Sequence, residues 1–149
     1  MNVQFAGLDP NYAHNLDKEF RPILCEDTKG IICFDADTDK VLAAAVLDQW
    51  TRTSVQGHIL IKSSIAIRRG FLQEVFNYVF NTCDRRIFLG LTPGDNLKAL
   101  KFNEKLGFRT VYEVEDGYDV GVPYVVVRMD KADCRWIEQD EPVYYSATA

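Results

Sequence analysis

The chain has 149 residues, of which 47% are hydrophobic and 26% charged, and its net charge is −5. This composition is typical of a globular domain that buries a core without disulfide or metal staples, and it excludes a disordered chain. The negative charge argues against nucleic acid as a partner, because phosphate binding needs a basic face, and it is compatible with a cationic partner or substrate.

The cysteines form no C-x-x-C pair, and the only histidines are His14 and His58. We therefore expect no metal site, and we expect free thiols in a reducing compartment. Neither a secretory signal pattern nor an apolar run of about 20 residues is visible. The sequence predicts a cytoplasmic protein that does not bind membranes.

The first half of the chain is predicted to be rich in strands. A short strand is expected within residues 1–9, followed by a weak helix over residues 11–24. Residues 31–51 predict an antiparallel hairpin around the polar turn 35–40. The β-branched run 58–67 predicts a further strand.

Helical spacing of apolar residues begins after Gly70. The predicted elements are then helix 71–80, strand 85–92, a helix between Asp95 and Gly107, strand 109–115, loop 116–123 and strand 124–129. This order predicts one mixed α/β or α+β domain over residues 1–149, in which residues 131–149 form a C-terminal tail.

The segment PGDNLKALKFNEKLGFRT, residues 93–110, predicts a helix with defined ends. Asp95 is expected to cap its start, and Gly107 is expected to end it in the left-handed conformation. Asn96 and Asn103 are seven residues apart and share a face with apolar residues. A buried amide without a partner costs about 1–3 kcal/mol, so each amide needs one. Either Asn96 supports the cap and Asn103 bonds a strand, or both line a polar ligand groove.

This helix resembles the fourth-helix signature of the GNAT acyltransferases, N-x-x-A-x-x-x-Y-x-K-x-G-F. The matching residues are Asn96, Ala99, Lys105, Gly107 and Phe108. The resemblance covers residues 58–130, and the first half of the chain fits in its strand order. It implies a GNAT-like α/β fold whose central sheet of about six to seven strands is splayed at a cofactor cleft and flanked by helices. In general style the chain also resembles bacteriophage-encoded members.

The resemblance implies an acetyl-CoA site between two splayed parallel strands, here 58–67 and 85–92. Asn96 would reach the pantetheine arm, and the backbone that pairs with this arm would be that of Ser64, Ile65, Ala66 and Ile67. The diphosphate would bind where a helix begins, because free N–H groups and the helix dipole favour an anion. The residues at that position are Arg68, Arg69, Gly70, Phe71 and Leu72.

The sequence departs from the family pattern in two places. The diphosphate loop lacks a second glycine, and Asn103 stands where many members have the tyrosine that protonates the leaving thiolate. An amide can donate a hydrogen bond to sulfur, but it cannot give up a proton at neutral pH. Candidate bases are Asp48 and His58, and candidate replacement acids are Tyr112, Tyr118 and Tyr124, although tyrosines at such positions also serve in packing.

The resemblance implies an N-acetyltransferase that uses acetyl-CoA and acts directly on a primary amine of a small molecule or protein. The acidic loop at Glu115, Asp116 and Asp119 is either a solvated turn or a rim that attracts a cationic amine. We expect a monomer or homodimer in the cytoplasm, that of the host if the chain is phage-encoded. The alternative is a catalytically impaired GNAT-like protein with a binding, inhibitory or structural role, which the two departures favour.

Overall fold

The first half of the sheet is an antiparallel meander in the computed structural model, which describes residues 1–8 and 27–139. Its strands are β1 (Val3–Gly7), β2 (Lys29–Asp35), β3 (Lys40–Asp48) and β4 (Ser54–Ile61), each paired with the next. The hairpin predicted over residues 31–51 is confirmed. The helix predicted over residues 11–24 lies outside the described residues, as does the end of the tail from residue 140.

The second half alternates helices and strands before it closes with a hairpin. Its elements are α1 (Ser64–Arg68), α2 (Phe71–Asn77) with a π-helical continuation (Tyr78–Thr82), β5 (Ile87–Pro93), α3 (Leu97–Leu106), β6 (Arg109–Asp119), β7 (Val122–Asp130) and a 3-10 turn (Lys131–Asp133). All strands of the described residues join one sheet of seven in the order β1-β2-β3-β4-β5-β7-β6. The expected mixed sheet of about six to seven strands is therefore present.

The strand predicted over residues 58–67 was placed too late in the chain. β4 begins at Ser54 and ends at Ile61, and α1 follows from Ser64. The Ser63 hydroxyl accepts a hydrogen bond from the Ile65 N–H at 3.4 Å and caps this helix. A short apolar, β-branched run does not distinguish a buried strand from a short helix, so the serine cap was the signal to follow.

The loop predicted over residues 116–123 is also shorter than expected. β6 continues to Asp119 and β7 begins at Val122, which leaves a tight turn between them. Gly121 has a φ of 76° in this turn, and its N–H donates to Asp116 Oδ1 at 2.6 Å. The pairing register shifts between Val114 and Asp119, so this part of β6 carries an irregularity rather than a loop.

The main core lies between α2 and one face of the sheet. Phe71, Val75, Phe76 and Phe80 are fully buried there, which confirms the helical spacing seen in the sequence. Cys33 also lies in this core as a free thiol, and burial raises its pKa to about 11. Among the helices of the described residues, none is long and apolar enough to cross a bilayer.

Candidate active site

A cleft opens where β4 and β5 separate. The two strands are parallel and pair only from Ser54 to Gln56, against Ile87 to Leu89. Beyond Gln56, β4 keeps its pairing with β3, whereas β5 keeps its pairing with β7. The strands diverge at this point, and a cavity of about 180 Å³ lies between them. The splayed pair of strands expected from the sequence is therefore present, with corrected bounds.

Three elements contribute most of the residues that line this cleft, while Phe108 and, from β7, Val127 also line it. The contributing segments are residues 57–60 of β4, residues 90–93 of β5, and Asn96, Ala99, Phe102 and Asn103 at or within α3. No strand of the described residues pairs with β4 beyond Gln56 on its β5 side. The backbone of residues 57–60 thus offers a free strand edge, to which an extended chain with amide groups can hydrogen-bond.

The segment Ser64, Ile65, Ala66 and Ile67 offers no such edge, because it lies in α1. Its carbonyl groups bond within the helix, as the 2.9 Å hydrogen bond from the Arg69 N–H to Ile65 O shows. Ala66 is fully buried in the core. The expectation that these residues pair as an extended strand was wrong, since the extended backbone at the cleft ends with β4.

Gly70 joins α1 to α2 with a φ of 90°, a conformation that favours glycine. Arg68 and Arg69 precede it with exposed side chains. Phe71 and Leu72 follow, but both side chains are buried in the core. The missing second glycine therefore does not place a bulky side chain on the outer surface of this turn.

Asn96, rather than Asp95, caps α3. Its Oδ1 accepts a hydrogen bond from the Ala99 N–H at 3.1 Å, so the predicted cap at Asp95 was wrong and the cap at Asn96 is confirmed. Gly107 ends the helix with a φ of 108°, as predicted. Because Asn96 also lines the cleft, its free amide nitrogen lies within reach of a ligand there.

Asn103 bonds to the neighbouring strand. Its Nδ2 donates to Thr92 Oγ1 at 2.9 Å, and Thr92 is only 7% exposed. The two alternatives for Asn103, a hydrogen bond to a strand and a position in a ligand groove, are therefore both present. The residue is hydrogen-bonded to β5 and also lines the cleft. Sequence reasoning missed Thr92. Its signal was the alternation along strand 85–92, which places position 92 on the same face as Phe88.

Asp48 and His58 lie near one another on the sheet face opposite α2. Asp48 is opposite Gln56 and His58 is opposite Val46 in the β3–β4 register, so they are diagonal neighbours. Asp48 is 8% exposed. Burial raises its pKa, and the nearby His58 partly offsets this shift. His58 is exposed and lines the cleft, so the structure brings both candidate bases to one region.

The three candidate tyrosines differ in their distance from the cleft. Tyr112 lies on β6, the outer strand, and is 67% exposed. It pairs with Val126, so the structure does not bring Tyr112 to the cleft. Tyr124 is opposite Pro93 at the end of β5, and the Tyr118 ring lies 5.5 Å from it. Within residues 1–8 and 27–139, no three metal-ligating side chains gather at this or another place.

Solved structures of GNAT N-acetyltransferases resemble this chain in fold. The spermidine/spermine N-acetyltransferase SpeG from Vibrio cholerae matches with a TM-score of 0.68 at 13% identity, over 88% of this chain and 94% of SpeG. The Campylobacter jejuni N-acetyltransferase PseH, solved in complex with acetyl coenzyme A, matches with a TM-score of 0.62 at 12% identity, over 87% of this chain and 99% of PseH. No protein-family model matches the sequence, and no curated protein matches it. At these identities the likeness establishes the GNAT fold alone.

Proposed function

We propose that the chain is an acetyl-CoA-dependent N-acetyltransferase that acts directly on a primary amine of a small molecule or protein. The separation of β4 from β5 next to the capped start of α3 is the observation that carries this proposal. The fold neighbours support it, since SpeG is a spermidine/spermine N-acetyltransferase and PseH was solved with acetyl coenzyme A. Fold alone does not establish activity, so the residues at the cleft must fit the reaction.

The cleft fits the pantetheine part of acetyl-CoA. Residues 57–60 present an unpaired strand edge, which is the partner that the two amides of an extended pantetheine arm require. Asn96 lines the same cleft and has a free amide nitrogen beside it. Arg68 and Arg69, exposed beside Gly70, are the proposed contacts of the diphosphate.

Acetyl-CoA supplies an activated acyl group and a thiolate leaving group. Asn103 is proposed to donate a hydrogen bond to the sulfur, which stabilises the thiolate without protonating it. Asp48 and His58 are proposed to take the proton that the attacking amine loses. A carboxyl group with a raised pKa suits this role, because a proton acceptor works best when its pKa approaches the operating pH. Most of the rate enhancement is then assigned to holding amine and thioester together.

The acceptor is proposed to be cationic before it reacts. Glu115, Asp116 and Asp119 lie on β6, near the turn that joins it to β7, and Tyr118 and Tyr124 pack against each other beside them. Carboxylates attract an ammonium group, and aromatic faces stabilise it. A cytoplasmic location and a bacteriophage origin stay predictions from the sequence alone.

Binding of acetyl-CoA tests the cofactor site. Acetyl-CoA at about one hundred times its Kd should stabilise the protein by about 2.7 kcal/mol and raise Tm. Arg69→Ala should weaken this binding, measured by calorimetry, without lowering the Tm of the free protein. Arg52→Ala is the matched control, because Arg52 is an exposed arginine in the turn before β4. No Tm shift and no heat of binding would overturn the proposal.

A second candidate function is a GNAT-fold binding protein that has lost catalysis. The residue at position 103 favours it, because Asn103 cannot protonate the thiolate and one of its two amide N–H groups is already bonded to Thr92. The two candidates differ in thioester cleavage. Release of free CoA thiol in the presence of spermidine or a lysine peptide supports the enzyme, whereas tight acetyl-CoA binding without thiol release supports the binding protein.

A further inference from the structure

Exposed apolar side chains concentrate on β6 and its turn. β6 is the outer strand of the sheet, and all 11 of its residues are exposed. Seven large hydrophobic residues are exposed in the described part of the chain, and five of them lie between positions 111 and 120. These are Val111, Tyr112, Val114, Tyr118 and Val120. Apolar surface gathered in this way is typical of a protein interaction site.

The outer edge of β6 is also free in its backbone. β7 pairs with the inner edge, and none of the other strands in the described residues pairs with the outer one. Residues 109–114 contain neither proline nor lysine, the residues that commonly protect such an edge. The pairing register shifts once within this stretch, between Thr110 and Tyr112, and again beyond Val114, where the strand bends. An added strand would therefore pair with residues 109–114.

The two faces of this edge differ in chemistry. Tyr112 and Val114 share one face, opposite Val126 and Tyr124 of β7. Glu113 points to the other face, where it borders a groove of about 440 Å³ between β6 and α3. Side chains alternate along a strand and interact with their cross-strand neighbours. An added strand would thus meet apolar groups on one face and a carboxylate on the other.

The charge of β6 decides between two possible occupants. The strand carries four acidic residues, Glu113, Glu115, Asp116 and Asp119, and one basic residue, Arg109. Arg109 is already paired with Asp130 at 3.2 Å. A second copy of the chain would bring acidic edges together, which is destabilising for neighbouring strands. A strand with basic side chains would instead be attracted.

We propose that the outer edge of β6 binds an extended segment of another protein in which apolar residues alternate with lysine or arginine. The segment adds as an eighth strand beside residues 109–114. Its apolar residues pack on Tyr112 and Val114, and its basic residues face Glu113 and the adjoining acidic positions. Residues 109–114 lie at the sheet edge, away from the cleft, and strand addition there does not require acetyl transfer. The site adjoins Glu115, Asp116 and Asp119, which we propose attract the acceptor amine.

Binding of a synthetic peptide tests this site on the full chain. The probe is a fluorescent peptide of about eight residues, the length of an ordinary strand, in which lysine and valine alternate. We expect saturable binding by fluorescence anisotropy, and slower hydrogen exchange at the amides of residues 109–114. A peptide with glutamate in place of lysine should not bind. Equal binding of both peptides, or no binding of either, would overturn the proposal.

Two charge variants separate strand addition from general attraction to an acidic protein. Glu113→Lys, which leaves the proposed acceptor residues unchanged, should weaken binding of the lysine peptide about tenfold or more, which is about 1.4 kcal/mol. Asp37→Lys changes the net charge equally at an exposed site away from β6, and should leave the affinity within about twofold. Equal losses in both variants contradict the proposal. So does concentration-dependent dimerisation that protects residues 109–114 without peptide, because a second copy then occupies the edge.

Discussion

Asn103 is the polar residue whose surroundings matter most to the proposed reaction. Its amide is held by one hydrogen bond to the Thr92 hydroxyl, in a part-buried position between α3 and β5. Sequence reasoning placed Asn103 on the buried face and required a partner for it, and this was confirmed. The partner itself was not predicted, because a hydrogen bond between residues on two elements depends on how the elements pack, not on local spacing.

Thr92→Val keeps the shape of the side chain but removes the hydroxyl. The Asn103 amide then loses this hydrogen bond, and water in the cleft replaces part of it, so we expect the free energy of unfolding to fall by about 0.5–1.5 kcal/mol. Urea unfolding followed by circular dichroism measures the change. Thr110→Val, at an exposed position of β6, should change stability by less than about 0.5 kcal/mol. Equal stability of the two variants would show that the hydrogen bond contributes nothing.

Asp48 gives a pH dependence of known sign. Burial raises the pKa of this carboxyl group in the folded protein above its ordinary value. A carboxyl group with a raised pKa favours folding below its unfolded pKa, and this contribution is lost as pH rises through the folded pKa. In paired urea titrations, Asp48→Asn should therefore gain stability relative to the original protein as pH rises above about 3.9, the ordinary pKa of an aspartate. If Asp48 acts as a base in acetyl transfer, as proposed, Asp48→Asn should also lose that activity. Stability curves that stay parallel at all pH values contradict the shift.

At the scale of elements, the C-terminal end of α3 was predicted better than the end of β4. Gly107 was predicted as the helix stop because only a residue without a Cβ takes φ of 108° freely. The end of β4 was missed because Ile65 and Ile67 continue the β-branched pattern of the strand. In the fold, Ala66 packs into the core from a helix, so tertiary packing overrides strand propensity there.

Gly107→Ala measures what the helix stop contributes. An added Cβ would lie 3.5 Å from its nearest neighbours, at Arg135 and Met129, so space is not the obstacle. The obstacle is the left-handed backbone conformation, which costs residues other than glycine about 1–2 kcal/mol. We expect thermal and urea unfolding to show a loss of this size. Gly7→Ala is the control, because a Cβ there meets nothing within 4 Å and its backbone is ordinary strand. It should be neutral or slightly stabilising, and an equal loss in both variants would exclude the helix stop as the cause.

At the scale of the molecule, the family resemblance identified the fold from residues 58–130, and the strand order of the first half agreed with it. The fold predicted that a cleft is present, but it did not predict which residues line the cleft. The free edge at residues 57–60 exists because β4 and β5 diverge after Leu89, and divergence is a property of two distant segments. Local periodicity does not indicate this divergence. The residues expected to pair with the pantetheine arm were therefore placed after Ile61 rather than before it.

Phe76 joins the parts of the molecule that pack on one face of the sheet. Its buried ring lies 5.7 Å from Phe88 of β5, 6.2 Å from Phe108 and 6.4 Å from Trp136. Phe76→Ala leaves a cavity among all three, so we expect a loss of about 3–5 kcal/mol. Because Trp136 belongs to this cluster, tryptophan fluorescence and circular dichroism should shift together in urea as one transition. Tyr112→Ala, on the exposed outer strand, should change stability by less than about 0.5 kcal/mol. A fluorescence transition at lower urea than the circular dichroism transition would mean that the surroundings of Trp136 or of the second tryptophan, Trp50, change first, and that the core on this face does not unfold as one unit.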